Sequence, residues 1–375
     1  MPELWRKTLF VLRAENTENK RKWPWIKCGE YGNVQLPKGK KPLKTKAFSK
    51  EEHTMTEKTA RQIEAMKNDY NFGVEVEMNH ITRQNAAKLA AEFFGTGRYE
   101  NTAYRNGYMT WSAFSEDGRE WKFSRDVSIA GPDDEKCELV TPILGWDDIP
   151  TLQELLRKLR HAGAVSNPQV GAGVHIHVSR KGGFQPYEIK NLVNIMAAHE
   201  QQIGKAIRID EGRTGHYCKT VNPDFLGLMH RRNPKTMQAL ENCWYEGNHA
   251  NYGRSQHYNE SRYHMLNLHS LFHGHGTCEF RLFQFSSPYT DKDGNHKRGG
   301  IHAGEIKSYI QLCIAMCELA HEIKYASPKP QQEENPKYAF RCWMLRLGFI
   351  GDEFKTARDY FMRNFTGNSA WRHTA

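Results

Sequence analysis

Pairs of chemically active residues two positions apart recur in four short apolar stretches. They are Glu75 and Glu77 in FGVEVEM, Asp126 and Ser128 in RDVSI, His175 and His177 in GVHIHVS, and Glu279 and Arg281 in CEFRLF. Side chains i and i+2 share one face of a strand, so each pair is presented together while Val, Ile or Phe between them turns to the other face. Read as strands, the four stretches carry carboxylates, imidazoles and one guanidinium to a single sheet surface. Any one pair fits the solvent face of a half-buried strand. Solvent faces normally carry Lys, Thr, Ser and Gln, however, whereas these positions offer ligand groups beside Gly73, Gly171 and Gly173, which permit close approach. The four together make a shared site the expectation.

Five acidic residues, Glu75, Glu77, Asp126, Glu138 and Glu279, cannot lie close together uncompensated, because like charges ~4 Å apart repel by a few kcal/mol inside a protein. Divalent cations are the natural solution. Oxygen-rich ligation favours Mg²⁺ or Mn²⁺ over Zn²⁺, with water and substrate phosphates completing the shell, and a single nitrogen ligand from His175 suits Mn²⁺ somewhat better. An HxH pair is also a zinc-enzyme pattern. Against a zinc hydrolase stand the number of acidic partners and the neighbouring Arg281, whose fork matches phosphate or carboxylate. Metal plus arginine around a phosphate is the equipment of phosphoryl transfer. His177, Ser128, Arg262 and Asn267 are further candidates for nucleotide or substrate contacts, with ordinary sheet polarity as the alternative. No Walker A sequence and no GxGxxG after a strand occurs, so a phosphate-cradling glycine loop is excluded.

The elements needed to position these groups are legible from periodicity and punctuation. Strand 72–78 precedes a helix capped by Thr82 and ended near Gly95 and Gly97; 107–128 reads as a hairpin through SEDG; and 137–144 is a further strand. A helix over 147–162 follows, with proline in its first turn, and GAGVHIHVS leads to an apolar helix over 186–207. Residues 210–260 read as polar loops with one helix near 234–244, and Asn-, Gly- and His-rich 245–258 is the candidate closing element. RYHMLNLHSLF and GTCEFRLFQF read as two strands, 302–325 as a long helix, and 338–365 as a helical segment after ASPKPQQEENPK. The expected class is α+β: a mainly antiparallel sheet covered by helices on one face. The expected organisation is a basic extension over 1–68, a catalytic domain over 69–326, and a linker with a helical tail over 327–375.

With 375 residues and 38% hydrophobic content the chain is long enough for a real core. No run approaches the about 18 apolar residues of a membrane span and no signal-peptide core is present, so a cytoplasmic location is expected. Eight scattered cysteines without CxxC argue against a disulfide framework or zinc knuckle. Cys313 and Cys317 read as small buried residues in an apolar helix. The net charge of +10 is concentrated in the first fifty residues, in KRKWPWIK and LPKGKKPLKTKAFSK. This arm, with Trp23 and Trp25, is either a solvated extension or a contact surface for nucleic acid or another polyanion.

The ordered series FGVEVEM, DVSI, CELVTPIL, GAGVHIHVS, RYHMLNLHSL and GTCEFRLF, spanning roughly residues 70–325, resembles the amidoligase family within the glutamine synthetase and glutamate-cysteine ligase superfamily. The resemblance implies a glutamine synthetase-like catalytic fold, with ATP, Mg²⁺ or Mn²⁺, and carboxylate and amine substrates on the concave face of a curved sheet. The acid would become an acyl phosphate that the amine converts to an amide. By the same similarity Glu75, His175 and Glu279 would hold the metal bridging the ATP phosphates. Glu77 and Glu138, with Asp126 or a rival among Asp133, Asp134 and Glu135, would hold a second, and Arg281 would stabilise the transferring phosphoryl group. A phosphotransferase on the same fold and a binding protein without catalysis are the alternatives.

Overall fold

Alternation of apolar and polar residues, written most clearly in the Glu75 and His175 stretches, is what builds the sheet. In β1 (Tyr70–Met78), Phe72, Val74, Val76 and Met78 are buried on one face while Gly73, Glu75 and Glu77 occupy the other. Fully burying such an apolar side chain contributes roughly 1.5–3 kcal/mol, so a one-residue slip that turned these groups outward would be strongly opposed.

The computed structural model describes residues 50–291, 294–330 and 334–370, with side chains from residue 57. The basic arm with Trp23 and Trp25, and the LWRKTLFVLR stretch, lie outside the described residues. The remaining strands of the main sheet are β2 (Tyr99–Asn101), β3 (Trp111–Phe114), β4 (Glu120–Ser124), β5 (Cys137–Val140), β6 (Val174–Arg180), β7 (Leu266–Asn267) and β8 (Cys278–Phe283). Their order in space is β2-β3-β4-β5-β1-β6-β8-β7, and every neighbouring pair is antiparallel. A small hairpin of β9 (Tyr289–Thr290) and β10 (His296–Lys297) stands apart.

The helices in chain order are α1 (Lys50–Asn68), α2 (Arg83–Phe93), α3 (Ala103–Asn106), α4 (Ile149–His161), α5 (Pro186–Ile207), α6 (Glu211–His216), α7 (Pro223–Arg232), α8 (Met237–Gly247), α9 (His269–His273), α10 (Ala303–Glu322), α11 (Pro336–Arg346) and α12 (Lys355–Met362). Thr82 caps α2 by accepting from the Asn85 amide, and Pro186 starts α5 with Glu188 bonding back to the Gln185 amide. α2 packs on β3 and β4, α10 on β6, and α4 and α5 on α10, giving a helical layer against one face of an antiparallel sheet, the expected α+β class. Phe283 of β8 stacks on Tyr309 of α10 with ring centroids 4.4 Å apart, pinning the two layers together. Phe340, Phe349, Phe354 and Phe361 join the same core, so α11, α12 and the turn between them pack into it. Cys313 and Cys317 are buried thiols of α10.

Four local readings change. Residues 50–68, expected within a weakly periodic extension, are helix α1, with Met66 buried in the core. Segment 210–260 holds three helices, α6, α7 and α8, because Asp210, Asn222 and Thr236 each cap a helix start. RYHMLNLHSLF is a strand only at Leu266–Asn267: Asn267 Oδ1 accepts from the His269 amide and turns the chain into α9. RDVSI is not a strand. β4 ends at Ser124, and Asp126 Oδ1 accepts from both the amide and the hydroxyl of Ser128, closing a turn instead of exposing an i, i+2 pair.

α7 and α8 meet at Gly247, where an added Cβ would lie 2.3 Å from Phe225 Cα. Neither backbone can yield, so Gly247→Ala is expected to lose about 1–3 kcal/mol of stability. The check is urea unfolding: the midpoint should fall with an unchanged slope. A wild-type midpoint would show that the two helices do not meet there.

Candidate active site on the sheet face

Register brings the chemistry together. Glu75 of β1 is paired with His175 of β6, Glu77 with Glu138 of β5, His177 with Glu279 of β8, and Glu279 with Asn267 of β7. Directly paired residues point the same way, so one continuous row of ligand groups crosses five adjacent strands. His175, Glu77, Glu279 and Arg281 are buried; Glu75, Glu138 and His177 are half-buried.

The distances are those of a single cluster. His175 Nδ1 lies 2.7 Å from Glu75 Oε2 and 3.9 Å from Glu279 Oε1, and His175 Nε2 lies 3.7 Å from Glu77 Oε1. His177 Nε2 is 3.2 Å from Glu75 Oε1, while its Nδ1 lies 3.0 Å from Thr277 Oγ1, which fixes the ring. Arg281 donates through Nη1 to Glu279 Oε1, and Asn267 Nδ2 donates to Glu279 Oε2 at 2.6 Å. Three sets of donor atoms lie within 4.8 Å of one another: Glu75, His177 and Glu279; Glu75, Glu138 and His175; and Glu77, Asp126 and Glu138. His177 is thus grouped with Glu75 and Glu279, and His175 with Glu75 and Glu138.

Asp126 reaches the third group from its turn, held there by Ser128, whose hydroxyl is used in that hold. Of the rival acids Asp133, Asp134 and Glu135, Asp133 is paired with Arg125. Asn267 is a support for Glu279. Arg262 sits in a 3-10 turn after α8, donates to the His257 carbonyl at 3.0 Å and lies over the Tyr258 ring, with its buried Nε unpartnered.

The electrostatics show what the row lacks. Burial pushes the Glu138 carboxyl up, and the negative charges of Glu75, Glu77 and Asp126 push it further, well above the usual range. Burial also opposes charge on Glu75, but His177 and the hydrogen bonds of both histidines outweigh it and hold Glu75 well below the usual range. Glu279 is likewise opposed by burial and brought to about 2 by Arg281 and His177. Burial lowers the His177 imidazole, yet Glu279 and Glu75 more than compensate and raise it. Positive charge is therefore in demand around Glu138. Carboxylate oxygens, with one imidazole nitrogen in two of the three groups and none in the third, form donor sets suited to Mg²⁺ or Mn²⁺.

Two features were beyond local spacing. β6 and β8 slip register between Val174 and Ile176, so that Arg281 and Leu282 together face His175. Such a bulge re-aims a side chain. Here Arg213 of α6 donates to the Arg281 carbonyl at 3.0 Å, and the Cys218 thiol donates to it at 3.2 Å. The Arg213 guanidinium occupies the space above Gly173, where a Cβ would lie 2.3 Å from it, and the Gly173 amide donates to Glu77 Oε2 at 2.6 Å. Gly173 was the only local signal for Arg213.

Loops from opposite ends of the strand order meet at this face. Tyr108, before β3, and Tyr258, before β7, bring their hydroxyls to 3.2 Å, although five strands separate β3 from β7. The loop carrying Tyr258 is held by Asn259 Nδ2, which donates to the carbonyls of Ala250, Tyr252 and Gly253.

A carboxyl with a raised pKa binds its proton more tightly in the folded than in the unfolded chain. The stability it contributes is therefore present at low pH and is lost as pH rises through the folded value. Glu138→Gln keeps the shape without the charge. It is expected to raise the Tm of the metal-free protein at pH 8 and to flatten the loss of stability from pH 6 to 8, measured by circular dichroism in EDTA. A variant no more stable than wild type at pH 8 would show that Glu138 is not under repulsion.

Among known proteins, a solved bifunctional glutathione synthetase from Pasteurella multocida is similar at 10% sequence identity and a TM-score of 0.41, over 83% of this chain and 50% of that one. The chain thus spans about half the length of that structure. No curated protein matches the sequence. No helix among the described residues is long and apolar enough to cross a membrane. A family of enzymes described as putative amidoligases matches residues 68–317, the stretch from the end of α1 through most of α10 that contains every residue of the row. The chain belongs to that amidoligase family.

Proposed function

We propose that the protein is an ATP-dependent carboxylate-amine ligase, acting on an amino acid, a peptide or a macromolecule-linked substrate. The observation that carries this reading is the convergence of Glu75, Glu77, Asp126, Glu138 and Glu279 with two histidines and Arg281 on one sheet face. That composition suits phosphoryl transfer, where charge neutralisation and positioning matter more than covalent help from the protein.

Glu75, His177 and Glu279 would hold one Mg²⁺ or Mn²⁺, and Glu77, Asp126 and Glu138 another, with His175 between the two groups. Bound there, the cations would neutralise phosphate charge. In the reaction a substrate carboxylate oxygen forms a bond to the γ-phosphorus of ATP as the bond to ADP breaks. The amine nitrogen then attacks the acyl carbon of the acyl phosphate, inorganic phosphate leaves, and the ammonium proton passes to solvent, leaving the amide. Arg281, held by Glu279 and aimed by the bulge, would stabilise charge on the transferring phosphoryl group. Asn267 and Thr277 keep Glu279 and His177 in place. The 248–259 loop, together with Tyr108, would shield the acyl phosphate from water.

The test is ADP and phosphate release from ATP with Mg²⁺ or Mn²⁺ in the presence of pooled amino acids, polyamines and peptides. Turnover requiring both an acid and an amine is expected, with a product lighter by one water than the two combined. A stable phosphorylated product without amide would make the protein a phosphotransferase.

Glu279→Gln keeps the Asn267 contact but removes a charged ligand. It is expected to reduce turnover by about a hundredfold or more, and to abolish the rise in Tm that Mn²⁺ gives the wild type, with the fold intact by circular dichroism. Wild-type turnover in that variant would remove Glu279 from the metal site.

A further inference from the structure

Beyond Phe283 the chain leaves the sheet, and residues 284–290 form one wall of a second cavity of about 700 Å³. Its other walls come from the C-terminal end of α5, from β10, from the first turn of α11 and from the end of α12. Four lining side chains are cationic, Arg208, Lys297, Lys337 and Arg363, against a single acid, Asp291.

Two of the four cations are already answered. Lys297 lies 3.2 Å from Asp291, and Arg363 lies 3.3 Å from Glu305 while donating to Ser286 Oγ at 2.6 Å. Arg208 and Lys337 have no side-chain partner among the described residues.

Arg208 is also held in an unusual backbone state. It caps α5 in the left-handed region at φ 53°, a place where glycine is the usual residue. Gln284 fixes this turn, donating to the Arg208 carbonyl and accepting from the Asp210 amide, each at 3.0 Å. A built and constrained turn thus presents a guanidinium without a side-chain partner, and Arg208 lines both this cavity and a neighbouring one. Lys337, also in the wall of this cavity, stands in the first turn of α11, where the helix dipole adds positive potential.

We propose that this cavity binds a phosphorylated small molecule through Arg208 and Lys337. A phosphate carries close to two charges and three acceptor oxygens, which suits two unpaired cations beside the hydroxyls of Ser287 and Thr290. The volume lies in the range of small-molecule sites, and the Tyr289 ring offers an apolar surface for the organic part. With Asp291 engaged by Lys297, no carboxylate of the wall is free to hold a cation, so binding here requires no divalent metal. The site is distinct from the sheet face: Gln284 stands three residues beyond Arg281, about 10 Å along an extended chain. The proposal does not rest on the ligase reading.

The experiment is calorimetric titration of the full chain in EDTA with pyrophosphate and, in parallel, with ADP. Saturable binding of both is expected, tighter for ADP if the organic part packs on Tyr289, and equal if the anion alone is read. Arg208→Gly suits the left-handed backbone and removes only the guanidinium; Lys337→Gln removes the ammonium without touching that turn. Each is expected to weaken binding about tenfold or more, whereas Glu279→Gln should bind as wild type. No binding in EDTA, binding that both cavity variants leave intact, or binding lost in Glu279→Gln would overturn the proposal.

Discussion

Repulsion among carboxylates that are taken out of water and fixed on neighbouring strands is the constraint on which the site depends. Glu77 and Glu138 are direct cross-strand partners, and like charges so placed destabilise an antiparallel pair. The apolar face behind them, with Val76, Met78, Cys137 and Leu139 buried, holds the register against that repulsion. Folding strength on one side of the sheet is thus converted into electrostatic strain on the other. The strain is unevenly distributed: Glu75 and Glu279 are answered by His177 and Arg281, whereas burial and the charges of Glu75, Glu77 and Asp126 outweigh the opposing effect of Arg281 on Glu138 and push it up. A fold that keeps such an imbalance has its row ready for added positive charge.

Arg281 shows how the backbone contributes. The Arg281 amide donates to the Met265 carbonyl, but the Met265 amide donates to the Lys219 carbonyl and not back to Arg281. An unpaired buried carbonyl costs about 1–3 kcal/mol unless another donor reaches it. Arg213 and Cys218 supply that donor from outside the sheet, and Gly173 leaves the room. The position of one guanidinium therefore depends on an element about seventy residues away in the chain.

What was legible from the sequence follows the same division. The alternation in FGVEVEM and GVHIHVS is a two-residue period, and a period survives without knowledge of neighbours, so Glu75, Glu77, His175, His177, Glu279 and Arg281 were placed on one face from spacing alone. Asp126 and Ser128 have the same spacing but close a turn, because a short acid beside a serine can bond its own backbone as well as occupy a strand. Asn267 was misread for the same reason, its side chain ending a strand that its apolar neighbours suggested. Of the three helices in 210–260 only the one near 234–244 was expected; α6 and α7 were missed because their starts rest on single caps, Asp210 and Asn222, within a polar stretch of weak periodicity. Arg213 has no signature in its own segment and is signalled only by Gly173, since its role rests on a contact distant in the chain.

The roof over the row obeys a different physics from the row itself. It is joined across the face by the bond between the exposed hydroxyls of Tyr108 and Tyr258, and a hydrogen bond between neutral groups is worth only about 1 kcal/mol net. The loop that carries Tyr258 is nevertheless internally organised, since one amide, that of Asn259, ties three of its carbonyls together. A loop that keeps its own shape but is weakly fastened at its tip can part from Tyr108 without disturbing the ligands, which are fixed by ladder hydrogen bonds and an apolar face. On the proposed ligase reading, exchange of substrates and exclusion of water would be opposite demands on one surface, and they would fall on separate parts of the structure, the seam between two tyrosines and the sheet beneath it.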